Sequence, residues 1–136
     1  MKCLLDSNVL ISASLFPHSV PARAFTAAAT FPNDAVICDY SIDEMRRVYN
    51  RKFPHKIYLF EEFLAMALLS AEIIATPPDD ESVADEAAIR DINDRPILRA
   101  AVKSDAGVLI TGDKDFLASG IKQPVILTPA EFLAFT

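Results

Sequence analysis

The sequence predicts an α/β protein: a three-layer α/β/α sandwich built on a small, mostly parallel sheet. Three observations carry that expectation. Short apolar runs, "KCLL" (2–5), "AVIC" (35–38), "VLIT" (108–111) and "VILT" (125–128), are separated by stretches with helical periodicity. The runs are apolar almost throughout, as strands buried on both faces are, and do not alternate as half-exposed strands do. Helix-bearing connections are what parallel neighbours require.

Taken in order, "KCLL" is the first strand. "SVPARAFTAAATF" (19–31) is a helix, with Ser19 as its cap and Pro21 in the first turn, where a missing amide costs nothing. After the strand "AVIC" comes a helix through "SIDEMRRVYN" (41–50). "IYLFEEFLAMALLSAEII" (57–74) is a long amphipathic helix that runs into a short extended piece before Pro77 and Pro78. "ESVADEAAIRD" (81–91) is a short helix, and "PILRAAVKSDA" (96–106) another, ended by Gly107. "VLIT" is a strand, "KDFLAS" (114–119) a helical turn, "VILT" a strand and "PAEFLAF" (129–135) a closing helix.

The length, 136 residues, suits one domain over 1–136, and a 51% hydrophobic content is enough for a real core. No stretch approaches a membrane span and the N-terminus lacks the build of a signal peptide. Cys3 and Cys38 sit in apolar runs and read as buried thiols, so the expected location is the cytosol. The net charge of −6 argues against generic nucleic-acid binding, which depends on cations neutralising phosphates. A basic segment, "RRVYNRKFPHK", nevertheless stands apart from the acids of "PPDDESVADEAAIRDIND".

In a parallel sheet every strand delivers the residue that follows it to one edge, the carboxyl edge, where ligands bind. Asp6 follows the first strand; Asp39 and then Glu44 follow the second; Asp113 and Asp115 follow "VLIT". The helix leading back into "VLIT" must start at the same edge, and Asp94 stands just before it. Topology alone therefore brings Asp6, Glu44, Asp94 and Asp113 together. Each has a local alternative. Glu44 is three residues beyond Ser41, the capping-box spacing. Asp94, two residues before Pro96, is placed to cap a helix, and Asp113 to cap "KDFLAS". For Asp6 the sequence offers no local capping duty. Four carboxylates at one edge raise each other's pKa unless a cation compensates. Hard oxygen donors without a His or Cys cluster suit Mg²⁺ or Mn²⁺ rather than zinc.

The stretches "LLDSNVLISA", "SIDEMRRVYNRKF", "DINDRPILRAAVKSDAGVLITGDKDFL" and "VILTPAEFL" resemble, in order and spacing, the PIN-domain family, in its VapC-like branch of toxin–antitoxin toxins. The resemblance implies a Mg²⁺- or Mn²⁺-dependent endoribonuclease that cleaves single-stranded RNA and leaves 5′-phosphate and 3′-hydroxyl ends. Position by position, it makes Asp6, Glu44, Asp94 and Asp113 the catalytic acids and metal ligands. Asp115 completes or supports the metal site, and Asn8 and Thr111 flank the acids as supporting polar residues. Asp91, one helical turn from Asp94, is an alternative for the third acid. Arg46, Arg47, Arg51 and Lys52 extend from the Glu44 helix and either guide the phosphate backbone or form a solvated face. The implied partners are an RNA substrate, a cognate antitoxin and a second copy in a homodimer. The apolar helix 57–71 is rich enough to serve as core and still offer an interface.

Three rivals remain. A haloacid-dehalogenase-type phosphatase needs an acid two residues after its nucleophilic Asp, and Asn8 stands there. A response-regulator receiver needs a pair of acids after its first strand, which Asp6 lacks. A non-catalytic PIN-like domain that binds RNA or protein would have no use for four mutually repelling acids.

Overall fold

A computed structural model describes residues 1–135. Five strands form its sheet: β1 (Lys2–Leu5), β2 (Asp34–Cys38), β3 (Glu72–Ile74), β4 (Val108–Ile110) and β5 (Val125–Leu127). Their order is β3-β2-β1-β4-β5, and every neighbouring pair is parallel. The sheet is thus wholly parallel, and β3 is the extended piece expected before Pro77.

Successive side chains of a strand point to opposite faces, and both faces here are apolar. Cys3, Leu5, Ala35, Ile37, Val108 and Ile110 pack on one side. They meet Val9 and Leu10 of α1 (Ser7–Leu15), Phe25 of α2 (Val20–Ala28), Met45 and Tyr49 of α3 (Asp39–Lys52), Phe60 and Phe63 of α4 (Ile57–Ser70) and, beyond the next two helices, Phe132 of α7 (Pro129–Phe135). Leu4, Val36, Cys38 and Leu109 pack on the other side, against Ile97 and Leu98 of α5 (Arg95–Lys103) and Phe116 of α6 (Lys114–Leu117). Each such large side chain taken fully out of water contributes about 1.5–3 kcal/mol. This two-sided burial produces the three layers.

Three local expectations need correction. The sequence reading placed no helix over residues 7–15, where the structure forms α1. Val9, Leu10, Ile11 and Ala13 are all buried, so this helix has no polar stripe to reveal its period. The expected helix over 81–91 is instead a set of 3₁₀ turns, Asp79–Glu81 and Ala84–Ala88, with another at Ile92–Asp94. Finally, α5 ends at Lys103, and the left-handed residue that closes it is Asp105 rather than Gly107. Asp105 takes the left-handed conformation with φ 57°. The Asp105 amide donates to the Val102 carbonyl and the Ala106 amide to the Ala101 carbonyl, a Schellman ending with an aspartate where glycine is usual.

Candidate active site

β1 leads out to β2 on one side of the sheet, while β4 lies on its other side. The gap beyond their carboxyl ends is the topological switch point, where open α/β sheets bind ligands. The ladder between them, pairing Leu5 with Ile110, continues one step further, with the Asp6 amide donating to the Ile110 carbonyl at 3.0 Å. Asp6 is therefore fixed by the sheet itself.

Its side chain is 2% exposed. Oδ1 accepts from the Ser7 amide at 2.7 Å, so Asp6 caps α1, a duty the sequence did not reveal because α1 was not expected. Oδ2 accepts from the Thr111 hydroxyl at 2.7 Å. The Thr111 oxygen in turn accepts from the Asp113 amide at 3.0 Å, and Asp113 Oδ1 accepts from the Asp115 amide at 2.8 Å. On the other side the Ser7 hydroxyl donates to Glu44 Oε1. A hydrogen-bonded relay thus runs from Glu44 through Ser7, Asp6, Thr111 and Asp113 to Asp115. It joins the starts of α1, α3 and α6. Sequence reasoning missed Ser7, whose one signal was its place directly after Asp6.

The Ser41 hydroxyl contacts Cys38 Sγ at 3.4 Å and Glu44 turns to Ser7, so the capping box is not formed. Asp94 stands at the start of α5 but makes no capping bond with its side chain. Asp113 does cap α6, and belongs to the acid cluster as well. Asp91 caps the turn that follows it, accepting from the Asn93 amide at 2.9 Å, and lies outside the cluster.

The cluster consists of Asp94, Asp113 and Asp115. One carboxylate oxygen from each lies within 4.8 Å of the others, and all three side chains are half-buried. Asp6 and Glu44 stand beside this triad and reach it through Ser7 and Thr111. The electrostatic signature follows. Burial, and then the hydrogen bond and charge of Asp113 with the charges of Asp6 and Asp91, push Asp94 up to about 8. Burial also raises Asp6, to about 6; the Thr111 bond pulls it down and the charges of Glu44 and Asp113 push it further up. Asp94 therefore keeps its proton at neutral pH, while Asp6 gives its proton up just below neutrality; a cation among such acids would lower both values.

The remaining candidates spread out. Asn8 is exposed in the first turn of α1 and takes no part in the relay. Arg46 is bound to Asp43 at 2.9 Å and lies 5.5 Å from the centre of the Phe60 ring. Arg47 lies 5.8 Å from the centre of the Tyr40 ring, at the acid end of α3. Arg51 and Lys52 sit in the last turn of that helix, roughly 10 Å further along its axis than Glu44 at 1.5 Å per residue. A cation that the sequence reading did not single out, the exposed Arg90, pairs with Asp115 at 3.3 Å.

Residues 2–115 match a family model described as PIN domain. Similar solved structures include a chain of VapBC2 from Rickettsia felis, bound to a DNA fragment from their promoter. It is 18% identical, with a TM-score of 0.68, over 93% of this chain and 97% of that one. PAE2754 from Pyrobaculum aerophilum is 15% identical with a TM-score of 0.67, over 98% and 88%. VapC20 from Mycobacterium tuberculosis, a sarcin-ricin loop cleaving toxin, is 15% identical with a TM-score of 0.63, over 88% and 95%. At these identities the likeness is one of fold. Among curated protein sequences, none matches significantly.

Proposed function

The chain belongs to the PIN domain family, and from that premise we propose that it is a Mg²⁺- or Mn²⁺-dependent endoribonuclease of single-stranded RNA, the toxin of a toxin–antitoxin pair. The observation that carries this reading is the half-buried triad Asp94, Asp113 and Asp115, wired through Thr111 to the buried Asp6 at the switch point.

The donor set fits a hard divalent ion. All its donors are carboxylate oxygens, Cys3 and Cys38 are buried in the core, and no histidine belongs to the cluster. A Mg²⁺ or Mn²⁺ ion bound there would supply an acidified water and take up charge on the scissile phosphate. The chain's own groups supply the rest. Asp94, Asp113 and Asp115 would hold the ion. Asp6 keeps its orientation because the Ser7 amide and the Thr111 hydroxyl each fix one of its oxygens. Glu44, half-buried and held by the Ser7 hydroxyl, completes the acidic wall and is placed to accept a proton. Arg47, beside Tyr40, and Arg90, paired with Asp115, draw phosphates toward acids that would otherwise repel them.

Support for the toxin assignment comes from the fold shared with VapC20 and a VapBC2 chain. The proposed partners are therefore an antitoxin protein and a second copy of the chain, and the proposed location is the cytosol. No helix among the described residues is long and apolar enough to cross a membrane. The test is cleavage of labelled single-stranded RNA by wild type and by Asp6→Asn, with Mn²⁺ or Mg²⁺ and with EDTA. Cleavage that needs the metal and disappears in the variant supports the proposal; metal-independent or variant-independent cleavage refutes it.

A further inference from the structure

Beside the acids lies a cleft of about 590 Å³, within the ~300–1,000 Å³ typical of small-ligand pockets. It opens between the start of α3, the segment after β3 and the turn leading into α5, with Tyr40, Thr76, Asn93 and Arg95 among its walls. Asn93 and Arg95 stand directly either side of Asp94, so the cleft adjoins the triad. Tyr40 faces the same acids: the charges of Glu44, Asp94 and Asp91 bear on its phenol.

The electrostatics of the cleft set what it can hold. Its buried Arg99 is matched by Glu86 at 2.7 Å and by Asp79 at 3.1 Å. No excess charge remains there for a phosphate beyond that of Arg95. Hydrogen-bonding capacity does remain. The Asn93 side chain and the Ser82 hydroxyl take no protein partner among the described residues. Arg95 uses only Nε, which donates to the Ile89 carbonyl at 3.1 Å. A carboxamide and a guanidinium are the groups that read base edges. The Tyr40 ring is held in place by its hydroxyl, which donates to the Asn93 carbonyl at 2.8 Å, and by Arg47. Unpaired bases stack on fixed rings of this kind.

We infer that this cleft receives one unpaired base of the RNA strand, next to the scissile phosphate, with Tyr40 as its platform and Asn93 and Arg95 reading its edge. The inference rests on the nuclease reading and adds to it a determinant of sequence choice. A neutral, polar, ring-bearing cleft beside an acidic site separates two tasks: the acids handle the phosphate, and the cleft selects which phosphate is presented.

The test is cleavage, with Mn²⁺, of a single-stranded RNA pool carrying every base at every position, followed by sequencing of the product ends. Wild type should show a base preference at one position beside the cut. Asn93→Ala should flatten that preference and raise KM about 10-fold, and Tyr40→Leu should raise KM about as much. Tyr40→Phe, which keeps the ring, should lie between wild type and Tyr40→Leu. Unchanged preference and KM in Asn93→Ala and Tyr40→Leu, in protein that still cuts, overturns the cleft and leaves the nuclease reading standing. A second arm measures anisotropy of short labelled oligoribonucleotides in the Asp6→Asn background. There Asn93→Ala should weaken binding about 10-fold. If wild type cuts nothing, this arm decides: weakened binding keeps the base site while the nuclease reading fails, and unchanged binding overturns both.

Discussion

The Thr111 hydroxyl donates to Asp6 Oδ2 at 2.7 Å across 105 positions of sequence, and its oxygen accepts the Asp113 amide at 3.0 Å. One buried side chain thus holds the acid at the end of β1 in fixed relation to the acid after β4. Thr111→Val keeps the shape and removes both bonds. Asp6 is left buried with one oxygen unpartnered, which should cost about 2 kcal/mol at neutral pH. Urea unfolding measures it. A loss within experimental error would mean that water replaces the hydroxyl and that the link does not position Asp6.

Metal affinity should grade with distance from the triad. Asp113→Asn removes a donor of the cluster and also weakens the cap of α6. Outer-shell changes cost roughly 10–100-fold in metal affinity. Thr111→Val should fall in that range, and Asp113→Asn should lose more than about 100-fold. Titration calorimetry with Mn²⁺ gives both values. Equal losses for the two variants would place the ion elsewhere.

Stability without metal should fall as pH rises. Asp6 and Asp94 have folded-state pKa values of about 6 and about 8, both raised above 3.8. Between 3.8 and those values the folded chain binds more protons than the unfolded chain, so stability declines with pH. This contribution is complete below 3.8, lost through about 6 for Asp6 and through about 8 for Asp94. Thermal melts in EDTA should show a falling Tm from pH 5 to pH 8.5. Asp94→Asn should flatten the upper part, and saturating Mn²⁺ should restore Tm most at high pH. A Tm that rises over this range would show that burial and neighbouring charge do not raise these two acids in the folded chain.

The sheet and the meeting of its acids were legible because a parallel strand fixes where its next residue goes. Asp6, Asp113 and Glu44 needed only four short apolar runs to be placed. The helix α1 was not legible, since Val9, Leu10, Ile11 and Ala13 are all buried and blur the helical period. With α1 unseen, Asp6 seemed to lack a capping role, and Ser7, its donor to Glu44, was passed over. The segment 81–91 failed for the opposite reason. Its composition favours a helix, but Glu86 is drawn to Arg99, a partner 13 residues away on α5 that leaves no local mark. Nothing in the sequence around Arg99 marks it as an interior cation, because its partners come from a distant segment.

That pair carries the last prediction. Arg99 is 4% exposed and Glu86 6%. Arg99 Nε and Nη2 donate to the two Glu86 oxygens at 3.2 and 2.7 Å, and Nη1 donates to the Pro77 carbonyl at 2.9 Å. Arg99 therefore ties the turns over residues 77–88 to α5, and with them the outer wall of the cleft. Removing one partner of a buried pair strands the other's charge, so Arg99→Met should cost about 3 kcal/mol in urea unfolding. Glu86→Leu combined with Arg99→Met should recover much of that loss, because two apolar side chains leave no charge stranded. Asp79→Ala, which removes a carboxylate lying almost wholly in water, should change little. A double variant no more stable than Arg99→Met would show that the Pro77 carbonyl, not Glu86, is the partner that matters.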